Sequence, residues 1–509
     1  MGDQPSAPSG PDLTRGIPTE SLLEGAMISG HVGDEAVLLA RVDGEVLAVG
    51  AVCTHYSGPL GEGLLVGDTV RCPWHHACFS LRTGRAVRPP ALNDLRRWQV
   101  DVGEGRIFVR KKLPAAGTQS RGRARAARSI LILGGGAAGS TAAETLRKEG
   151  FDGQITLIDS DTDAPYDRPN ISKDYLAGTA PEDWLPLHPR SYYRELEVDL
   201  LLGRRAQAID PAQRRLMLDD GAALPYDQLL ITTGATPVQL DTLGAARRIL
   251  YLRTLADSRR IIEAAKSARR AVVIGTSFIG LEVAASLRAR GVEVHAVGPD
   301  PLPLGRLLGP ALGTFIRDLH REHGVVFHLE HTVGEVQADA VVLDDGTRLE
   351  ADVVVAGVGV RPNVELAAHA GLAVDQGILV DEWLETSGSD IFAAGDVARW
   401  IDPRTGERVR VEHWVVAERM GQTAARNLLG HREPFDAVPF FWSQHYDVPI
   451  SYVGHGSGWD RAVVDGDPAA RDCVVTYYRG DRVLATATIF RDRQSLEAEV
   501  ALEQAPVHH

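Results

Sequence analysis

Four side chains that bind soft or borderline metals lie near one another early in the chain: Cys53 and His55 in CTHYSG, then Cys72 and His75 in CPWHHACFS. Thiolate sulfur and neutral imidazole nitrogen suit both zinc and iron, and a set of two Cys and two His can close a tetrahedral zinc site or ligate an iron–sulfur cluster. The span between the pairs is rich in glycine, so it can fold back and bring them together. A second group of residues is built for phosphate. Gly134, Gly136 and Gly139, with Ala137 and Ala138 between them, follow the apolar run SILIL and open the stretch STAAETLRK. A strand passing through such glycines into a helix turns free N–H groups and the positive helix end toward a pyrophosphate. Asp159 ends the next apolar run about 20 residues on and is placed to accept from a ribose hydroxyl. A weaker copy of the pattern, Gly275, Ser277 and Gly280, follows AVVI; serine is small, so close approach of a pyrophosphate is retained.

Those residues need elements to hold them. From about Thr19 to Lys112, short alternating apolar runs such as AVLLARV, VLAVGAV and IFVRKKL are separated by Gly and Asp turns, which predicts a small all-β domain over 13–112. The segment KKLPAAGTQSRGRARAAR has no apolar periodicity, and residues 113–127 read as a solvated linker. Beyond Ser129 apolar strands alternate with alanine-rich helical stretches, the pattern of doubly wound α/β units. The two glycine patterns repeat within it, which predicts an internal duplication with one nucleotide per copy. The boundaries are a first dinucleotide-binding part at 128–245, a second nucleotide-binding domain at 246–366, the return of the first at 367–430, and a strand-rich α+β domain at 431–509.

The chain has 509 residues, too many for one core, and a formal net charge of -14, which argues against nucleic acid as a partner. Its first residues, MGDQPSAPSGPDLTRG, show no positive segment followed by an apolar one, and no apolar run is long enough to span a membrane. A cytoplasmic, reducing setting is the expectation. There, Cys–His spacings read as metal or redox chemistry before disulfides.

The N-terminal pattern, C-x-H, a gap of about 16 residues, then C-x-x-H, resembles that of Rieske proteins. The resemblance implies a [2Fe-2S] cluster with Cys53 and Cys72 on one iron and His55 and His75 on the other. Respiratory Rieske proteins carry an extra disulfide between the ligand loops; here Gly58 stands at one of its positions, leaving Cys78 alone as a buried apolar residue. The chain therefore resembles the ferredoxin-like Rieske proteins of oxygenase systems. His76 stands where these usually have Gly, and it is expected to alter solvent exposure near His75.

After Ser129, PYDRPNISKDYL, LLITTGATP and IFAAGDVA occur in the order of FAD-dependent pyridine-nucleotide oxidoreductases, in particular oxygenase ferredoxin reductases and apoptosis-inducing-factor-like proteins. That resemblance implies that Arg168, Lys173, Thr233 and Gly234 line the flavin and that Asp396 hydrogen-bonds its ribityl chain. It also implies that Trp414 and Trp442 lie beside its ring, where either could instead be core, and that Glu282 pairs with Lys173 to hold the geometry of hydride transfer. The strand VEVHAV ends without an acid or arginine to read the ribose 2′-position, and NADH is expected over NADPH. HREH at His320 to His323 reads as a helix surface. No cysteine lies between Cys78 and Cys473, so no thiol pair is available beside the flavin. The expected function is a reductase fused to its own ferredoxin, passing electrons from NAD(P)H through FAD to the cluster and on to a protein such as an oxygenase, a cytochrome or another iron–sulfur protein. A reductase of quinone or O2, or an NADH-responsive redox sensor, are the alternatives.

Overall fold

The structure is a computed structural model that describes residues 9–114, 128–241, 243–244 and 248–505. Of the expected linker, 115–127 lie outside the described residues, as does the expected boundary at 245/246. The chain divides into two compact units. Among the described residues the first comprises 9–114, 148–150 and 491–505; the second holds the rest.

The first unit is an all-β domain of two antiparallel sheets, one of six strands and one of four. The strand Glu35–Val42 shows why the sequence folds this way. Leu38, Ala40 and Val42 point into a core that contains Cys53 and Cys72, whereas Val37 and Leu39 point into a second core with Trp98. Period-two alternation thus feeds both faces with apolar side chains. Asp43 and Gly44, both at positive φ, make the two-residue turn to Glu45–Gly50, as Asp-Gly favours. The smaller sheet orders Leu64–Val66, Thr69–Arg71, Cys78–Ser80 and Ala86–Arg88, and so brackets the second ligand segment.

The last helix, Asp492–Glu503, also belongs to this unit. The sequence groups it with the strands before it in 431–509, and in the structure it packs with the first unit. Ser495, Leu496, Glu499 and Leu502 are its buried residues, a helical spacing that makes one inward face. On that face Glu499 accepts from Arg71 at 3.2 Å and Glu503 accepts from Arg71 at 2.7 Å.

The second unit contains two five-stranded parallel sheets and a five-stranded antiparallel one. In the first parallel sheet, strand β1 (Ser129–Leu133) is central and leads into helix α1 (Ala137–Lys148), then β2 (Gln154–Asp159). The second sheet repeats the arrangement with β3 (Arg270–Ile274), helix α2 (Phe278–Ala289) and β4 (Glu293–Gly298). Parallel strands covered by helices on both faces need unbroken apolar runs, which is what SILIL and AVVI supply. Helix α3 (Gly305–Glu322) kinks at Gly309 and Pro310 and ends with His320 in its last turn. The sequence places His320 on a helix surface; in the structure it is fully buried, because α3 packs that face against the antiparallel sheet that starts with β5 (Phe440–His445). Only His323 of that motif is exposed among its two histidines. Among the described residues no helix is long and apolar enough to cross a membrane.

Candidate redox site

The two ligand segments of the first unit fold as conformational copies. In one, Cys53 N–H donates to Gly58 O at 2.9 Å and Ser57 N–H to Cys53 O at 3.1 Å; in the other, Cys72 N–H donates to Ala77 O at 2.8 Å and His76 N–H to Cys72 O at 3.2 Å. Ser57 and His76 occupy the same position in each loop, both with φ 60. Glycine is cheap at such a position and other residues are strained there. His76 is held in it by the last helix, where its Nδ1 meets Glu499 Oε2 at 3.1 Å and its Nε2 meets Ser495 Oγ at 3.2 Å. The ring is fully buried.

Cys53 and Cys72 are buried, and their thiols share a hydrogen bond that pulls Cys53 down and, with burial, pushes Cys72 up. The rings of His55 and His75 meet edge-on with centroids 5.0 Å apart. Burial pushes the His55 imidazole down to about 4, so it stays neutral, the form that ligates a metal. Its Nδ1 is buried and has no hydrogen-bond partner in the protein. A Cβ at Gly58 would stand 2.7 Å from Cys72 Sγ, so the loop approach requires glycine there. A pair of thiols, two imidazoles, one of them held neutral by burial, and an orphaned ring nitrogen fit a cluster with Cys2His2 ligation. Cys78 is buried on the sheet beside the loops and burial pushes its thiol up, as for an inert core cysteine.

In the second unit the two glycine patterns meet the same steric demand. Gly134 and Gly275 have φ 115 and 104, and a Cβ on Gly139 or Gly280 would lie 1.9 or 2.2 Å from the carbonyl oxygen of Gly134 or Gly275. Both turns face a cavity of about 340 Å³. Gly136, Ala137, Ala138, Arg168, Lys173, Gly234, Asp396, Trp414 and Trp442 line it together with Ser277 and Glu282, so the sequence-predicted set is largely brought to one place. An adjoining cavity of about 1510 Å³ shares Gly136, Arg168 and Gly234 and adds Gly134, Asp159 and Thr233. Gly139, Gly275 and Gly280 stand behind the walls as turn and helix residues.

Three predicted residues have partners that the sequence did not signal. Asp159 accepts from the N–H groups of Gly135 and Asp161, which orients its carboxylate. Asp396 accepts from Arg253 at 2.8 Å, an ion pair in the cavity wall. Ser277 caps α2, accepting from Gly280 N–H at 3.3 Å while its own hydroxyl donates to Gly357 O at 2.6 Å. Lys173 Nζ lies 2.9 Å from Glu282 Oε2, and Glu282 also accepts from Ser172 at 2.6 Å and Ser443 at 2.7 Å. Burial alone would push this carboxyl up; Lys173 and the two hydroxyls outweigh it and hold the carboxyl below its usual range. The half-buried Arg168 has a buried Nε without a partner at the junction of the two cavities, where a diphosphate would supply an acceptor. These donors and glycine cradles fit a flavin dinucleotide.

Comparison with known proteins agrees. Residues 128–421 match the family described as pyridine nucleotide-disulphide oxidoreductase. The chain belongs to that family. Residues 15–99 match the Rieske [2Fe-2S] domain and 440–506 the reductase C-terminal domain. The oxidoreductase is 32% identical over 493 residues to apoptosis-inducing factor 3 of Homo sapiens, covering 93% of this chain and 81% of that protein. It is 38% identical over 374 residues to putidaredoxin reductase CamA of Pseudomonas putida, covering 71% and 89%. Among solved structures, the covalent putidaredoxin reductase–putidaredoxin complex superposes with a TM-score of 0.72 at 36% identity, covering 74% of this chain and 93% of that one. The protein is thus an FAD-dependent NAD(P)H:ferredoxin-type oxidoreductase with a Rieske [2Fe-2S] domain.

Proposed function

We propose that electrons enter from NADH at the cavity of the second unit, pass through FAD to the cluster of the first unit, and leave for a protein acceptor such as an oxygenase, a cytochrome or another iron–sulfur protein. The observation that carries this reading is the absence of cysteine among the residues lining the cavity, in a family whose name derives from thiol chemistry. Cys473 lies in the core of the antiparallel sheet and the remaining three cysteines are in the first unit. The Cys–His cluster site is then the electron store that the chain itself supplies.

FAD, when bound, takes two electrons at once from a nicotinamide and gives them up singly. Lys173 Nζ stands in the cavity wall, fixed by Glu282, and the two serines fix Glu282 in turn. Arg253 and Arg168 place positive charge where the two cavities join, and Asp396 balances Arg253. On the first unit, Val52, Tyr56 and Trp74 beside the ligand loops are 43%, 41% and 42% exposed. Exposed aromatics beside His55 and His75 suit brief docking of an electron acceptor. Relatives of the chain include ferredoxin reductase components of oxygenase systems, which supports a protein acceptor.

Anaerobic addition of NADH, and separately of NADPH, tests the path. Loss of flavin absorbance followed by the EPR signal of a reduced Rieske cluster is expected, fastest with NADH; flavin bleaching without that signal would remove the cluster from the path. Tethering also raises the effective concentration of the cluster at the flavin, to about a millimolar. Cutting the chain within 115–127 should therefore slow cluster reduction at dilute protein and leave flavin reduction intact; equal cluster rates would refute the tether.

A further inference from the structure

The residues that fix Glu282 do not stop at Ser443. Ser443 Oγ lies 3.3 Å from His445 Nε2, His445 Nδ1 lies 3.1 Å from His320 Nε2, and His320 Nδ1 lies 3.3 Å from the hydroxyl of Tyr446. Ser443, His445 and His320 are all buried, whereas Tyr446 is half-buried and stacks at 3.6 Å on the exposed ring of His323. A continuous hydrogen-bonded chain therefore runs from the carboxylate in the cavity wall to the edge of the protein. It links α2, β5 and the last turn of α3.

Donor and acceptor roles along this chain follow from the partners. A carboxylate only accepts, so the one proton of Ser443 goes to Glu282 Oε1. His445 Nε2 must then donate to Ser443 Oγ. Burial pushes the His445 imidazole down to about 4 and the His320 imidazole well below its usual value, so both rings are neutral and each carries one N–H. His445 Nδ1 is accordingly an acceptor from His320 Nε2–H, and His320 Nδ1 accepts from the phenol of Tyr446. Every bond donates toward Glu282. The charged and titratable groups facing the chain are Lys173 at the Glu282 end and His323 and Arg288 at the Tyr446 end.

We propose that Ser443, His445, His320 and Tyr446 are a proton relay that connects Glu282 with solvent. Oxidation of the nicotinamide, NADH → NAD+ + H+ + 2 electrons, leaves one proton in the cavity once a one-electron acceptor has taken both electrons. Glu282 accepts that proton. It moves outward when the chain has the opposite polarity, with Ser443 donating to His445 Nε2 and each imidazole proton on Nδ1. The proton of Glu282 goes to Ser443 Oγ, that of Ser443 to His445 Nε2, that of His445 Nδ1 to His320 Nε2, that of His320 Nδ1 to the phenol oxygen, and the phenol proton to water. This transfer leaves all donors directed inward again. Only N–H and O–H bonds along the chain break and form, and one proton reaches solvent per passage; a further passage requires both hydroxyls to rotate and both imidazoles to return their proton from Nε2 to Nδ1. Imidazole is suited to the task because its two nitrogens exchange roles without a net charge residing in the buried site. The relay rests on the flavin cavity and not on the identity of the acceptor.

The test mixes FAD-loaded protein with NADH and ferricyanide, an acceptor that does not require the cluster, in weak buffer with a pH-indicator dye. Proton release is compared with nicotinamide oxidation in the same mixing experiment. In the wild type the two are expected to coincide. In Tyr446→Phe, at the half-buried outer end, and in His445→Ala, release should lag oxidation by at least about tenfold, and added imidazole should abolish the lag of His445→Ala. Release in step with oxidation in both variants, with FAD retained, would overturn the relay. A readout independent of turnover is the 15N spectrum of histidine-labelled protein: neutral rings with the proton on Nε2 of His445 and His320 support the ordered chain. A cationic His445 at neutral pH would contradict it.

Discussion

Replacing Glu499 by alanine tests whether the last helix is part of the cluster-binding domain. Glu499 is fully buried, 3.2 Å from Arg71 and 3.1 Å from His76 Nδ1. Arg71, only 6% exposed, would keep Glu503 at 2.7 Å. His76 would keep Ser495 at 3.2 Å but lose the carboxylate that helps hold a ring whose backbone is at φ 60. Breaking a buried ion pair costs about 3–5 kcal/mol, and the surviving Glu503 contact puts this substitution at the low end, about 3 kcal/mol. In a domain of this size that lowers the melting temperature by roughly 10 °C. The assay is an anaerobic melt of the cluster-loaded protein followed by visible absorbance of the cluster, with FAD fluorescence monitored in parallel. Glu499→Gln keeps the shape without the charge and should fall between. Glu497→Ala, which removes an exposed partner of Arg493, should change stability by less than about 0.5 kcal/mol. A cluster melt for Glu499→Ala within about 2 °C of wild type, where roughly 10 °C is expected, would show that the helix does not support the ligand loops.

Gly139→Ala puts a methyl 1.9 Å from Gly134 O and 2.9 Å from Thr232 Oγ1, so FAD per protein after desalting should fall at least about tenfold, as when backbone must move at a phosphate-binding turn; normal flavin content would refute the steric requirement. Cys72→Ser should abolish the Rieske EPR signal whereas Cys78→Ser keeps it, since Cys78 is a buried sheet residue; loss of the signal in both would mean that Cys78 matters for the cluster. His445 stays neutral in the folded protein down to about pH 4, and the unfolded chain binds its proton near 6.5. The unfolded state therefore gains protons first, and this residue costs the fold stability as pH falls from 6.5 toward 4, up to about 3 kcal/mol below that window. Denaturant midpoints of His445→Gln should lose that part of the pH dependence; parallel curves for the two proteins would contradict a neutral buried ring.

What the sequence determined by itself is local. The spacing of Cys53, His55, Cys72 and His75 marks the ligand set because each pair lies within one short loop closed by its own backbone hydrogen bonds. Gly139 and Gly280 were legible for the same reason, since the clash each avoids is with the carbonyl oxygen of the glycine five positions before it, whereas Gly134 and Gly275 avoid Thr232 and Gly357, which only the tertiary structure brings close. The apolar runs SILIL and AVVI announced parallel strands because burial on both faces demands them. Tertiary structure alone decided which distant side chains meet. His76 and Glu499 are 423 residues apart, Ser443 and Glu282 161, and Arg253 and Asp396 143. No periodicity links such pairs, because their geometry is set by how separate elements pack and not by the chain between them. For that reason His320, polar in a charged HREH segment, reads as surface and is in the structure the buried centre of a hydrogen-bonded chain.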